Sequence, residues 1–282
     1  MNTFRTAALL TALTLIFVFG GAALGGKSGM IMAFILALGM NFFSYFYSDK
    51  LVLNMYGAKE ISEAEAGWLY QTIRELTSKA GIPMPKVYMI PTDQPNAFAT
   101  GRNPGHAAVA VTQGIMRTLN REQLAGVLAH EIAHIKNRDI LIGTLAATMA
   151  GAISMIANMA QWALMFGGHN RDDGEGTHPI VAVVMMLVAP IAAMLVQMAI
   201  SRQREYLADR TGAELTRNPE GLAGALIKIH EAAAFTPMNA EPATAHLFIM
   251  SPLTGQDFAT LFSTHPPVEK RVEALRNLHF FS

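Results

Sequence analysis

The feature that most constrains the fold of this chain of 282 residues is a set of four stretches that contain no charged residue. They cover residues 6–26, 28–48, 140–168 and 179–201. A helix needs about 20 apolar residues to cross the hydrocarbon core of a bilayer. A charged side chain at the centre of such a helix would cost roughly 2.5–3.5 kcal/mol. We therefore predict four transmembrane helices, arranged as two hairpins.

Two of these assignments have alternatives. Residues 6–26 could form a signal peptide, although the apolar core of a signal peptide usually has only ~7–15 residues. Residues 140–168 and 179–201 could instead form a buried hairpin in a soluble core. Gly143 and Gly151 favour the membrane alternative, because small residues allow close helix packing within a bilayer.

The two hairpins divide the chain into four parts. The first hairpin takes residues 1–48, and a polar segment follows at 49–139. The second hairpin takes residues 140–201, and a second polar segment covers 202–282. Four spans place both polar segments and the N-terminus on the same side of the membrane.

The distribution of Lys and Arg near the span ends predicts which side that is, because cytoplasmic loops are enriched in both residues. Only Lys27 and Arg171 lie on the opposite face. The shared face carries Arg5, Lys50, Lys59, Arg121, Lys136, Arg138, Arg202, Arg204, Arg210 and Arg217. We therefore expect a multi-pass membrane protein with its N-terminus, polar segments and C-terminus in the cytoplasm.

Composition excludes several classes of function. The chain has 21 basic and 21 acidic residues, so it lacks the basic surplus that a nucleic-acid-binding protein needs. It has no cysteine, which rules out disulfides, thiolate metal sites and cysteine nucleophiles. Any metal must therefore be held by His, Asp or Glu.

The polar segments predict a mixture of helices and short strands. Residues 86–90 and 106–111 are rich in β-branched residues, and 96–100 lie between them. Asn120 is a candidate N-cap, with Gln123 three residues later. The helix that it opens runs directly into the third uncharged stretch.

The strongest chemical signal lies in that helix and reads His130-Glu131-Ile132-Ala133-His134. Residues four apart lie on one face of a helix, so two imidazoles can hold one tetrahedral metal ion. Glu131 lies beside them and can act on the attacking water without being a ligand. We therefore predict one Zn²⁺ per chain, with His130 and His134 as ligands and Glu131 as the catalytic base.

A catalytic zinc site needs a third protein ligand and an open fourth position. Glu205 is the best candidate. Asp209 lies four residues later on the same helical face, where it can orient a ligating histidine through its ring N–H. The residue pattern leaves other third ligands open, namely His265, His230 with Glu231, Glu214 and His246.

The order of these motifs resembles the HtpX family of membrane-integrated zinc metalloproteases, relatives of the CAAX prenyl endopeptidases. H-E-I-A-H is followed by a long apolar insertion and then by E-Y-L-A-D at 205–209. Further matches are N-A-F-A-T-G at 96–101, V-T-Q-G-I at 111–115 and T-H-P-P-V-E-K-R-V at 264–272. The resemblance covers essentially the whole chain.

This resemblance implies a fold and a set of site residues. It implies a mainly α membrane protein with four transmembrane helices and a cytosolic α+β zincin-like metalloprotease domain, which contains a small β-sheet. His130, His134 and Glu205 would be the zinc ligands, and Glu131 the catalytic acid and base. The strand at Asn96, Ala97, Phe98 and Ala99 would bind extended substrate, and His265 would stabilise the oxyanion.

The resemblance also implies a function, namely endoproteolysis of misfolded or damaged membrane proteins in stress-linked quality control, and a location in the bacterial cytoplasmic (inner) membrane. The expected partners are protein substrates, chiefly membrane proteins, and the lipid bilayer, with no nucleic acid; the oligomeric state is left open. A catalytically inert membrane metal-binding or chaperone-like protein is the alternative, and the presence of Glu131 favours the enzyme. A soluble metallopeptidase with a signal sequence is disfavoured by the uncharged run at 28–48.

Overall fold

The computed structural model describes residues 2–145, 202–233, 235, 247–250 and 266–278. The helices are α1 (Asn2–Met55), α2 (Gly67–Ala80), α3 (Gln113–Thr118), α4 (Arg121–Lys136), α5 (Arg202–Thr216), α6 (Pro219–Ala233) and α7 (Val268–Arg276). A further helical stretch begins at 140 and is described as far as 145. The strands are β1 (Lys59–Glu60), β2 (Lys86–Ile90), β3 (Ala97–Gly101) and β4 (Ala107–Thr112).

Helix α1 is folded back on itself as two arms. The Asn41 side-chain amide donates to the Leu10 carbonyl over 3.3 Å and to the Thr14 hydroxyl over 2.9 Å. In a straight helix, residues 10 and 41 would lie about 46 Å apart. The reversal occurs at Gly26, whose φ of +58° falls in the left-handed region that suits glycine. The chain therefore forms a helical hairpin in its first 55 residues, as the first two uncharged runs predict.

The second arm, Gly26–Met55, is long and apolar enough to cross a membrane, and among the described residues it is the one segment that meets both criteria. Its surface is largely apolar, with Phe42 62% exposed. Its helix does not stop at residue 48 but continues to Met55. The second predicted hairpin lies outside the described residues from 146 onward, so four transmembrane helices stay a prediction.

The four strands form one mixed sheet in the order β1-β2-β4-β3, which places β3 at an edge. β2 pairs with β4 in parallel, whereas β3 pairs with β4 and β1 with β2 in antiparallel fashion. Strands β2, β3 and β4 match the three predicted segments to within one residue at each end. The prediction of a small β-sheet is confirmed.

The sheet lies between two apolar layers, because side chains alternate between its faces. Val109, Ala97 and Ala99 face the main core, which also contains residues of α2, α4, α5, α6 and α7. Phe98 and Ala110 face a smaller cluster that includes Val52 and Leu53 of α1. The end of the second arm of α1 therefore packs directly on the sheet, opposite the helix that carries His130.

The start of helix α4 follows its sequence signal. The Asn120 side chain accepts from the Gln123 N–H over 2.9 Å, and the Gln123 side chain accepts from the Asn120 N–H over 3.2 Å. This reciprocal capping box stabilises the first turn. Ser62 and Glu65 also have the spacing of a capping box, but this pair closes only a turn, and α2 begins at Gly67.

Candidate metal centre

Three potential metal ligands meet between helices α4 and α5. The Nε2 atoms of His130 and His134 lie 3.1 Å apart. The Glu205 carboxylate lies 3.6 Å from the first of these atoms and 3.4 Å from the second. Donors in a tetrahedral zinc site, at about 2.0–2.1 Å from the ion, are separated by about 3.3 Å. The donor set and its spacing therefore fit a zinc ion.

The contact between α4 and α5 is possible because of Gly212. A Cβ at this position would lie 2.9 Å from the backbone nitrogen of His130. The two helices therefore approach backbone to backbone at the first histidine. Asp209 lies three residues before Gly212 on the same helix, and Glu205 lies four residues before Asp209, so all three share one face. The close approach brings both carboxylates to the imidazoles.

Each imidazole has a carboxylate on its other ring nitrogen. Asp209 lies 2.8 Å from Nδ1 of His130, in the position that the sequence predicts. Asp139 lies 3.3 Å from Nδ1 of His134, and sequence reasoning missed this residue. The only sequence signal for Asp139 is its position, as an acidic residue between the end of α4 and the third uncharged run. Such contacts set the tautomer and ring orientation of metal-binding histidines.

Arg271 lies behind the centre and has no exposed surface. Its guanidinium donates two hydrogen bonds to the Asp209 carboxylate, over 2.8 and 2.6 Å. It also lies 3.9 Å from the Glu205 carboxylate. A bidentate Arg–carboxylate pair has fixed geometry, so Arg271 holds Asp209 in the orientation that contacts His130.

Burial and charge together shift the pKa values at the centre. Burial opposes protonation of His130, but the Asp209 and Glu205 carboxylates outweigh it and raise its pKa to about 9. Burial alone would raise the pKa of Asp209, yet Arg271 and His130 lower it to about 2. Burial raises the pKa of Glu131 to about 6, against the lowering effect of the two histidines. Glu131 therefore has a pKa suited to proton transfer near neutral pH.

Zinc binding should release a proton from His130, because only a neutral imidazole can ligate the ion. The pKa of about 9 means that His130 is protonated at pH 7 without metal. The apparent zinc affinity should therefore rise about tenfold per pH unit from 7 to about 9. Calorimetry in buffers of different ionisation enthalpy will measure the released proton. An affinity that does not change over this range would contradict the assigned charge state of His130.

The orienting role of the two aspartates predicts a loss of zinc affinity when either is replaced. We expect Asp209→Asn and Asp139→Asn each to weaken zinc binding about 10–100-fold, with the fold intact. Asp93→Asn is a matched control, because Asp93 pairs with Arg117 on the surface and exposed pairs contribute little. Zinc titration of the three variants will test this. Equal affinities for all three would show that neither aspartate orients a ligand.

The predicted substrate strand lies beside Glu131. The backbone N–H of Ala99 hydrogen-bonds to the Glu131 carboxylate and lowers its pKa. Ala97 shares the face of the sheet that Ala99 presents to the core, whereas Phe98 faces the smaller cluster. Asn96 precedes β3 and is buried. The geometry therefore brings the edge of β3, but not the Phe98 ring, to the proposed catalytic base.

Those of the other candidate ligands that lie in the described residues do not join this cluster. Within the described residues, the group His130, His134 and Glu205 is the one set of three or more such side chains that could hold a metal ion. Glu214 pairs instead with Arg210 over 2.9 Å. His230 and Glu231 line a groove between α6 and α7. His246 and His265 lie outside the described residues.

Comparison with known proteins agrees with this geometry. A family model described as Peptidase family M48 matches residues 63–279. A relative named protease HtpX homolog in Thermodesulfovibrio yellowstonii is 58% identical over 98% of this chain and 98% of its own length. A relative of the same name in Desulfatibacillum aliphaticivorans is 56% identical over 97% of this chain and 89% of its own length. Another in Pyrococcus furiosus is 54% identical over 97% of this chain and 95% of its own length.

A similar fold occurs in the crystal structure of S. mikatae Ste24p. The match has a TM-score of 0.53 and 15% sequence identity over 97% of this chain. This chain covers only 65% of the length of that protein. At this identity the likeness concerns the fold.

Fold, site and comparisons together define the class of protein as a metalloprotease, a hydrolase of peptide bonds. The chain belongs to peptidase family M48, and its similarity to the HtpX homologs extends over nearly its whole length. The resemblance found in the sequence motifs is confirmed.

Proposed function

We propose that this protein is a zinc-dependent endopeptidase that cleaves membrane proteins at the cytoplasmic face of the membrane. The catalytic part of the proposal rests on one observation. Two imidazole nitrogens and the Glu205 carboxylate converge at tetrahedral spacing. A second carboxylate, Glu131, is not one of these three groups and lies on the same helix as the two imidazoles. Holding a metal needs only the first three groups, whereas hydrolysis also needs a base.

The chemistry follows from the positions of these side chains. His130, His134 and Glu205 would hold the zinc ion, which would supply a Lewis acid for the scissile carbonyl and the attacking water. Glu131 takes a proton from that water as its oxygen attacks the carbonyl carbon. When the C–N bond breaks, Glu131 returns the proton to the leaving amine. His265 remains the proposed donor to the oxyanion.

The proposed membrane siting is supported by the surface of the second arm of α1. Phe42, Phe43, Phe46 and Tyr47 are exposed and lie just before the helix enters the folded domain. Aromatic side chains of this kind concentrate where a membrane meets water. The Arg102 guanidinium, from the turn after β3, lies 5.0 Å from the centre of the Phe46 ring. The substrate strand would therefore end close to the lipid headgroups.

The positions of the ligands in the sequence support the same siting. His134 lies six residues before the third uncharged run begins, and Glu205 lies four residues after the fourth run ends. Because six residues of chain extend at most about 20 Å, and the chain turns after α4 ends at Lys136, both ligands lie near the predicted span ends. Exposed cytosolic loops and juxtamembrane segments of membrane proteins would reach the zinc most readily. Misfolded or damaged proteins offer such segments in extended form, which supports a role in stress-linked quality control.

A pair of matched substrates tests this proposal. The protein is reconstituted in lipid vesicles with one folded soluble domain that carries an unstructured linker, and the linker is either left free or joined to a transmembrane helix. We expect cleavage of the tethered protein within the linker, little cleavage of the folded soluble protein, and loss of both on removal of zinc. Comparable cleavage of the two substrates would contradict the membrane siting. Hydrolysis that survives removal of all metal would contradict the zinc chemistry.

A further inference from the structure

The outer edge of the substrate strand is already paired with another part of the same chain. The Asn96 carbonyl accepts from the Thr112 N–H over 3.0 Å and so faces β4. Because successive carbonyls of a strand point to opposite edges, the Ala97 carbonyl faces outward. It accepts a hydrogen bond from the Ile249 N–H over 3.0 Å. The segment Leu247–Met250 therefore lies against the edge where an extended substrate is expected to bind.

All four polar backbone atoms of the dipeptide Ile249–Met250 are hydrogen-bonded. The Ile249 carbonyl accepts from Nη1 of Arg271 over 3.1 Å. The Met250 carbonyl accepts from the Asn96 side chain over 2.9 Å, and the Met250 N–H donates to the same side chain over 3.4 Å. These hydrogen bonds involve the backbone atoms of the dipeptide and neither of its side chains. A segment of another sequence in extended form could therefore make the same bonds.

The groups that hold this dipeptide are also linked to the metal centre. Arg271 contacts Asp209, which contacts His130. Along the same strand edge, Ala99 hydrogen-bonds to Glu131. Of the groups that hold the dipeptide, Arg271 is therefore linked to the proposed zinc ligand His130 through Asp209. Ala97 lies two residues along the strand from Ala99, the partner of the proposed base.

A separate anchor holds the segment in place. The Phe248 ring lies 5.1 Å from Phe98 and 5.0 Å from Tyr56, in edge-to-face arrangements, on the far face of the sheet. Phe248 has no exposed surface, and Ile249 is 1% exposed and packs in the main core. The anchor is thus distinct from the backbone contacts with Asn96, Ala97 and Arg271.

We propose that Ile249–Met250 is a built-in occupant of the peptide-binding edge. Substrate displaces it and then makes the same four backbone hydrogen bonds, with an apolar side chain preferred at the position that Ile249 holds. This inference rests on the proposed function. A tethered occupant competes at a high effective concentration, so the apparent KM for substrate is the intrinsic value divided by the fraction of enzyme with an open edge.

Weakening the anchor tests the proposal, because the binding edge itself stays unchanged. We expect Phe248→Ala in the full chain to lower the KM for an extended fluorogenic peptide several-fold, with kcat within about twofold of the parent. Phe235→Ala is a matched control, since Phe235 is 86% exposed, and should leave both constants unchanged. Met250→Pro, which removes the N–H that bonds to Asn96, should lower KM in the same way.

A peptide added in trans provides a test that does not depend on how the variants fold. An acetylated peptide with the sequence of residues 247–252 should inhibit hydrolysis competitively. The same peptide with an N-methylated isoleucine, which lacks the N–H that bonds to Ala97, should not. The occupant model is overturned if both peptides behave alike, or if folded, zinc-loaded variants show an unchanged or higher KM. If the parent enzyme still needs zinc and Glu131 for activity, the proposed function stands even then.

Discussion

Replacing Glu131 by glutamine should abolish peptide hydrolysis while the protein keeps its metal. Glutamine has nearly the same shape but cannot accept the proton of the attacking water. Loss of a general base costs typically 10²–10⁴-fold in rate, and here the same group also returns the proton to the amine. The substitution leaves His130, His134 and Glu205 in place, so the zinc content should not change.

Glu122→Gln is the control for this experiment. It makes the same chemical change on the same helix, at an exposed position in the first turn of α4. Peptide cleavage by the two variants, with zinc measured on the same samples, separates loss of the base from loss of the fold. A Glu131→Gln enzyme that retains more than about a tenth of the parent activity would exclude the proposed base, given the size of general-base effects.

Replacing Glu205 by alanine should remove both metal and activity. The carboxylate supplies one of three protein donors, and its loss leaves two imidazoles that share one helix. We expect zinc affinity to fall by more than the 10–100-fold that is typical of residues that only orient a ligand. Helix α5 should still form, because Glu205 lies in its first turn and packing between the helices depends on Gly212.

Glu214→Ala is the matched control on the same helix, since Glu214 is exposed and pairs with Arg210. Equilibrium dialysis against a zinc buffer will compare the two variants with the parent. If the Glu205→Ala protein binds zinc as tightly as the Glu214→Ala protein does, another residue completes the site. His265 would then be the first candidate to replace, because the sequence offers it as a third ligand.

Local signals in the sequence predicted much of the fold. The capping box at Asn120 defined the start of α4, and the β-branched runs located β2 and β4. The hairpin of α1 followed from two uncharged runs separated by Lys27 alone. These features depend on neighbouring residues, and such patterns are visible without knowledge of tertiary structure.

Contacts between distant segments could not be predicted in the same way. Asp139 contacts His134 because the chain turns at Arg138, whose φ is +59°, and no residue pattern signals that turn. The sequence is compatible both with an Arg271 that anchors its loop through a carboxylate and with a solvated one, whereas in the structure Arg271 is fully buried against Asp209. The contact of Ile249 with Ala97 joins segments 152 residues apart in the sequence. Each depends on how helices and strands pack, which periodicity does not specify.

The central claim is that one zinc ion lies between His130, His134 and Glu205. The most direct test is a crystal structure of the zinc-loaded protein with anomalous scattering measured on both sides of the zinc absorption edge. The account predicts one strong peak per chain, about 2.0–2.1 Å from both Nε2 atoms and about 2.0–2.2 Å from a Glu205 oxygen. A peak elsewhere, or a zinc ion whose third protein donor is another residue, would contradict it.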